Sequence, residues 1–297
     1  MSNRRALLIV NPKSRRGDTD LAAARRTLEE RGIDLRQETP GDAAGVARLI
    51  ESRAGEVDCV VLGGGDGTLN CAAAALVATR LPLGILPLGT ANDLARTLGL
   101  PMDAAAAAAV IADGHVKPID VGRVNDVYFF NAADIGLGTR VTAHLDRRTK
   151  SRWGVLAYPR SLLRAWRDNR AFTAEIDCDG RRELLRVIQI KIANGKYYGG
   201  GMSVLEDAAI DDQRLDLLAI RPQGILSLLR LAPALRAGEA RDSRGVQVRS
   251  GRKVSVLTAY PMQVSTDGEM TSATPAHFAV MAGAIEVYVP AAHGDAE

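Results

Sequence analysis

The chain is 297 residues long, 46% hydrophobic and 25% charged, with a formal net charge of +3. That length favours two domains, and the balance is that of an ordinary globular protein with ample material for its cores. So small a net charge gives no reason to expect nucleic acid as a partner, and the scattered Cys59, Cys71 and Cys178 lack the spacing of a disulfide framework or zinc site.

In chain order, Ala6–Val10 reads as a strand, entered directly from Met1–Arg5 without a signal-peptide pattern. Leu21, Ala24 and Leu28 recur at helical spacing, and Gly32 sits where a helix C-cap belongs. Ile33–Glu38 is a second strand, and Val46, Leu49 and Ile50 mark a second amphipathic helix. Cys59–Leu62 and Leu83–Leu88 are short apolar runs, the pattern of strands buried on both faces. Asp103 is placed to cap an alanine-rich helix running towards Ala112. Strand alternating with helix predicts a parallel, doubly wound sheet.

After about Asp120 the pattern turns β-rich. Val121–Val124, the Asn125-Asp126 turn and Val127–Phe130 read as a hairpin. Phe172–Cys178 alternates, Asp179-Gly180 turns the chain, and Leu184–Ile192 reads as one strand. Further strands are expected at Leu215–Ile220, Val254–Leu257, Met262–Val264, Phe278–Met281 and Ile285–Val289, interrupted by helices at roughly 154–169 and 224–236. No uncharged apolar run is long enough to span a bilayer, so a soluble, cytoplasmic protein is expected.

The sharpest motif is Gly63-Gly64-Gly65-Asp66-Gly67-Thr68, which follows a buried strand and opens a helix. Glycines let backbone amides approach a ligand closely, and a helix N-terminus adds further amides and a favourable dipole for anions. Asp66 would repel a phosphate there unless a divalent cation bridged the two. A tight strand-to-helix turn capped by Asp66 is the plainer reading. Gly-Lys-Ser/Thr does not follow, and the spacing misses G-x-G-x-x-G, so neither a Walker A loop nor an NAD-dependent dehydrogenase is indicated. Gly89, Thr90 and Asn92 end the next buried strand in the same way, and Asn11-Pro12-Lys13-Ser14 leaves the first. Three strand ends could therefore converge on one nucleotide at the carboxyl edge of the sheet.

Val10–Ser14, Gly64–Thr68, Pro87–Asp93, Asp120-Val121-Gly122, Asn194–Met202 and Thr266-Asp267-Gly268-Glu269 stand in an order that resembles the diacylglycerol kinase catalytic family, which includes bacterial lipid kinases and sphingosine and ceramide kinases. The resemblance implies an α/β fold: an N-terminal doubly wound nucleotide domain similar to phosphofructokinases and NAD kinases, then a C-terminal β-sandwich. Residues 1–121 and 122–297 would be the two domains, with the last strand, about 285–290, a candidate to return to the first. It implies ATP and Mg2+ as cofactors, with Gly64, Gly65, Asp66, Gly67 and Thr68 holding phosphates and metal and Asn11, Gly89, Thr90 and Asn92 completing the nucleotide pocket. Asp267 would be the catalytic base with Glu269 nearby, and Asp120 would support it through a polar network. A structural magnesium would sit at Asp212 and Arg214, although Glu206 replaces the proline and Gln213 the glycine of the family's loop.

Phosphoryl transfer from ATP to the hydroxyl of a lipid such as diacylglycerol is the expected activity. Trp153, Leu156, Tyr158 and Trp166 among Arg160, Arg164, Arg167 and Arg170 suit an anionic inner-membrane surface, and Leu226, Leu229 and Leu231 beside Arg230 and Arg236 suit a second. Core packing with solvated arginines is the alternative for both. An NAD-kinase-like enzyme and a non-catalytic nucleotide-binding regulator are the rival functions. The acceptor lipid and the oligomeric state, a homodimer included, are left open.

Overall fold

The computed structural model describes residues 4–11, 18–137, 139, 171–241 and 243–291. Pro12, Lys13 and Ser14, the expected helix at 154–169 with its aromatic and basic residues, and the side chains of Leu226 and Leu229 lie outside what is described.

The first half alternates β1 (Arg4–Val10), α1 (Asp18–Glu30), β2 (Ile33–Glu38), α2 (Ala43–Arg53), β3 (Cys59–Gly64), α3 (Asp66–Thr79) and β4 (Leu83–Pro87), then α4 (Asp93–Thr97) and α5 (Ala104–Asp113). The strands run parallel in the order β2-β1-β3-β4. Leu7, Ile9, Val60 and Leu62 bury one face with residues of α2 and α3. Ala6, Leu8, Cys59 and Val61 bury the other with residues of α1 and α5. Both faces being dry explains why these strands are apolar runs rather than alternating ones. The connections diverge between β1 and β3, which sets the exits of those two strands side by side. Open α/β sheets bind ligands at such a point.

The second half contributes β5 (Val116–Val124), β6 (Val127–Phe129), β7 (Ala132–Gly136), β8 (Phe172–Cys178), β9 (Arg181–Val187), β10 (Gln189–Ala193), the short β11 (Tyr197–Tyr198) and β12 (Met202–Ser203), β13 (Leu215–Ile220), α6 (Ile225–Ala237), β14 (Val246–Gly251), β15 (Lys253–Thr258), β16 (Gln263–Thr266), β17 (Glu269–Ala273) and β18 (Ala276–Tyr288). Among the described residues, β18 extends the parallel sheet through one bridge, Val287 to Leu83, and carries β5, β15, β8 and β9 beside it. A second sheet, ordered β14-β13-β10-β7-β16-β17, packs against that extension. Ile135, Ile190, Ile192, Leu217 and Val264 meet Phe172, Ile176, Val254 and Phe278 in the sandwich core.

Three readings need correction. The run Leu184–Ile192 is not one strand: the chain passes from one sheet to the other at Ile188, so β9 and β10 lie in different layers. Val187 and Ile188 are both buried, so the apolar pattern carries no mark of the corner. Conversely, Phe278–Met281 and Ile285–Val289 belong mostly to one strand, β18, with a bulge between Met281 and Ile285. Leu231 is buried against Ile188 and Ile220, so that position of α6 is core and not a lipid-facing surface.

Gln213 sits in the left-handed region at φ 61, where the family loop often carries glycine. Its backbone N–H donates to Asp120 Oδ2 at 2.5 Å, which holds the conformation in place. A side chain with a Cβ costs on the order of 1 kcal/mol in that region. Gln213→Gly is expected to raise stability by about that much, read as a higher urea midpoint at unchanged slope. A lowered midpoint would show that the turn carries no strain.

Candidate active site

The glycine loop and its neighbour are built by close backbone approach. A Cβ on Gly89 would stand 2.4 Å from the Gly65 Cα and 2.6 Å from Asn92 Oδ1, so the β3–α3 and β4–α4 loops touch where Gly89 has no room for a side chain. Asn92, itself left-handed at φ 52, accepts from the Gly89 N–H at 3.0 Å and donates to the Gly89 and Pro87 carbonyls at 3.1 and 3.3 Å. Its amide is thus committed to the loop it shapes. Asn11 Nδ2 donates to Thr68 Oγ1 at 3.0 Å, and that hydroxyl would lie 2.5 Å from a Cβ on Gly64. Asn11, Gly64, Gly65, Thr68, Gly89 and Asn92 therefore form one interlocked surface. Gly67 and Thr90 face solvent on it. Helix α3 begins at Gly65 without a side-chain cap, leaving the first-turn amides of Asp66 and Gly67 outside the helical bonding.

Asp66 turns one oxygen onto the start of α4, where Oδ1 accepts from the Leu94 N–H at 3.1 Å. One helical turn along α3, the Asn70 amide, oriented to satisfy its neighbours, donates to Asp267 Oδ2 at 3.3 Å and to the Tyr128 carbonyl at 3.2 Å. A Cβ on Gly67 would lie 3.8 Å from Glu269 Oε1. The glycine loop and the Asp-Gly-Glu turn thus face each other at close range.

That turn joins β16 to β17 with Asp267 and Gly268 both at positive φ, 46 and 84, as a two-residue hairpin with a right-handed strand twist requires. The Asp267 carboxylate accepts from three consecutive amides: Phe130 at 2.8 Å on Oδ2, and Asn131 and Ala132 at 2.9 and 3.0 Å on Oδ1. Burial pushes its pKa up to about 6; the three amides oppose the shift and the Asp66 charge adds to it. Asp93 is likewise raised by burial, against the pull of the Gly200 N–H, with Asp66 again adding repulsion. Gly200 and Gly201 donate to the Asp93 carboxylate at 2.9 and 2.7 Å. Gly199, Gly200 and Gly201 are all at positive φ, a run that side chains would forbid, and it folds those two amides onto α4.

Two family models match this chain: "Diacylglycerol kinase catalytic domain" over residues 5–124, and "YegS C-terminal NAD kinase beta sandwich-like domain" over residues 131–289. The chain belongs to the diacylglycerol kinase catalytic family. It is 30% identical over 295 residues to a protein named diacylglycerol kinase from Bacillus subtilis, spanning 97% of each. It is 32% identical to "Probable lipid kinase YegS-like" of Pseudomonas aeruginosa, over 98% of this chain and 96% of that one. Among solved structures, a diacylglycerol kinase from Bacillus anthracis superposes with a TM-score of 0.83 at 28% identity, covering 97% of both chains.

For a diacylglycerol kinase family member, the other expected residues fall as follows. Asp120 does not touch Asp267. Its carboxylate accepts from Gln213 and Gly283 N–H at 2.5 and 2.8 Å. The link to the turn runs through Asn194, whose Nδ2 donates to the Asp120 and Phe130 carbonyls at 3.0 and 2.9 Å. Asp212 accepts the Arg214 backbone N–H at 2.9 Å, and burial, helped by Asp216 and Asp120, raises its pKa. No group of three His, Cys, Asp or Glu side chains converges on a cation position among the described residues, so no chemical step is routed through that loop. A cavity of about 470 Å³ lined by Thr97, His115, Lys117, Lys196 and Asp211 lies away from Asp66 and Asp267. Lys117 and Asp211 pair across it at 2.5 Å. Two residues escaped the sequence reading of the site. Asn70 carried a usable signal, since it stands four residues after Asp66 and so shares its helix face. Asp93 passes for a helix cap.

Gly89→Ala is expected to force the two loops apart and to lower stability by about 2 kcal/mol, the usual cost of overpacking, measured by chemical denaturation. Asp267 should titrate near pH 6, as read by its carboxyl carbon shift. Because the folded state holds this proton more tightly than the unfolded chain, the associated stability is full below the ordinary carboxylate range and is lost as pH rises towards 6. Asp66→Asn should move that midpoint down. An unchanged or raised midpoint would separate the two carboxylates electrostatically.

Proposed function

We propose that this chain transfers the γ-phosphoryl group of ATP to the hydroxyl of a lipid alcohol in the cleft between the glycine loop and the Asp267–Glu269 turn. One observation carries the reading: Glu269 Oε1 lies 3.8 Å from the Cβ position of Gly67, so an acidic turn of the sandwich faces an uncapped helix N-terminus suited to phosphate.

In this reading the triphosphate lies over Gly65, Gly67 and Gly89, receiving the Asp66 and Gly67 amides, with Thr90 at the margin. Asp66 Oδ1 is taken by the Leu94 N–H, and its other oxygen would be the one offered to a divalent cation beside the phosphates. Magnesium bound there would neutralise the β- and γ-phosphate oxygens. Asn11, Thr68 and Asn92 hold the loops in shape rather than reaching far into the cleft.

The resemblance gives proton removal to Asp267. The hydrogen bonding favours a division of labour. Both Asp267 oxygens are engaged by backbone amides, and Oδ2 meets Asn70 as well. Glu269 is exposed. We assign Asp267 to positioning the turn and Glu269 to accepting the acceptor hydroxyl's proton as that oxygen bonds to phosphorus and ADP leaves. Asp120 acts further back, fixing the Asn194–Phe130 segment on which Asp267 rests.

The test is turnover of ATP with magnesium and mixed-micelle lipid by purified variants. Glu269→Gln should lower kcat about a hundredfold or more with thermal stability intact. Asp267→Asn should lower both kcat and stability, since an amide cannot accept three N–H bonds. Near-normal kcat in Glu269→Gln would remove it from the chemistry. Labelled phosphate appearing on NAD rather than on lipid would overturn the assignment of the acceptor.

A further inference from the structure

On the outer face of the second sheet, the strand registers align one transverse row. Val248 pairs with Leu218, Leu218 with Lys191, Lys191 with Asp134, Asp134 with Ser265, and Ser265 with Met270. Its Leu218 and Val248 end is packed with Val204, Leu205 and Leu235, whereas its middle is polar. Lys191 Nζ pairs with Asp134 at 2.8 Å and stands 3.7 Å above the Tyr198 ring. Their side chains are 11% and 18% exposed, so the pair is largely desolvated without being sealed. Burial pulls the ammonium down, yet Asp134 and Tyr198 more than offset it, and Lys191 stays charged. Beside them Ser265, 1% exposed, has a hydroxyl with no hydrogen-bond partner among the described residues. A buried hydroxyl left unmade costs free energy that an apolar residue would not.

The row has a fixed relation to the proposed chemistry. Ser265 lies near the end of β16, two residues before Asp267 in the turn that follows, and Met270 follows Glu269 directly. At the level of the turn Ala132 and Ala193 pair across β7 and β10 and are buried with Val204 and Leu205, which fixes the edge of the row on that side. Met270, 41% exposed, supplies an apolar flank at the turn. Tyr198 belongs to the segment that Asp93 anchors through Gly200 and Gly201, which ties the row to the first half of the chain.

We propose that Ser265, Lys191 and Asp134 form the second anchoring point of the acceptor, binding an uncharged oxygen, such as an ester carbonyl, one pleat away from the hydroxyl that is phosphorylated. This rests on the lipid-kinase reading of the cleft. The charge of Asp134 is already matched by Lys191, so the row offers hydrogen bonds without spare negative charge. An acceptor carrying an ammonium in place of that second oxygen would meet the ammonium of Lys191 and be disfavoured. The site therefore selects neutral, oxygen-rich lipid alcohols over amino alcohols.

The experiment uses the full chain with 1,2-dioctanoylglycerol and a long-chain amino alcohol as competing acceptors in mixed micelles. Ser265→Ala should raise KM for dioctanoylglycerol about fivefold, the value of one hydrogen bond, while KM for ATP and thermal stability hold or improve. A purely structural serine would leave acceptor KM unmoved. Removing Lys191 alone would strand a buried carboxylate, so the pair is tested together. Lys191→Met with Asp134→Leu exchanges a buried ion pair for apolar groups, a change that folds tolerate. It should weaken dioctanoylglycerol use and narrow the preference over the amino alcohol. Unchanged acceptor KM and preference in both variants, with an active parent, overturns the inference and leaves the lipid-kinase reading standing. A parent inactive on every lipid sinks that reading instead. Calorimetric binding of dioctanoylglycerol then decides the row, and equal affinity in the parent and Ser265→Ala refutes it.

Discussion

Three amides in succession, from Phe130, Asn131 and Ala132, converge on the carboxylate of Asp267. That contact joins the segment leaving β6 to the β16–β17 hairpin, and much of the cleft follows from it. It fixes the turn whose next acid, Glu269, comes up against Gly67. It also sets the level of Ala132, and hence the two-residue offset that places Asp134 and Ser265 beyond the turn. Burial and the nearby Asp66 make the charged form of Asp267 costly, while the amides hold it in place. A carboxylate under such opposed demands is an unlikely choice for a simple turn, where an uncharged asparagine would do.

Repulsion organises the other side of the cleft as well. Asp66 raises both Asp93 and Asp267, so three acids on α3, α4 and β16–β17 are held nearer than their charges favour. Backbone amides offset part of that cost at Asp93 and Asp267, whose pKa values stay raised. Asp66 has one N–H, from Leu94, and is the acid with most to gain from a cation.

The parallel half was legible because its inner strands β1, β3 and β4 are buried on both faces, so the apolar run and the strand coincide, as at Cys59–Leu62. The sandwich was legible in part. β14, with Gln247, Arg249 and Ser250, is half-buried along most of its length, and β17, with Glu269, Thr271 and Ser272, is no more apolar than a loop. Neither edge strand has a hydrophobic pattern to read. The corner at Ile188 is silent for the opposite reason, since apolar residues serve both layers equally well. In the site, the glycines and acids were visible as motifs, but the bonding that separates Asp267 from Glu269 depends on amides that no side-chain pattern encodes. Lys191 is a lone cation in the apolar run Ile190–Ala193, and its partners come from β7 and the β11 hairpin, far apart in sequence.

The direct passage from β9 to β10 has a mechanical result. With no slack between Val187 and Gln189, sliding either layer along its strands would drag the other, so the sandwich behaves as one block. The glycine run clasped by Asp93 fastens that block to α4 of the parallel half.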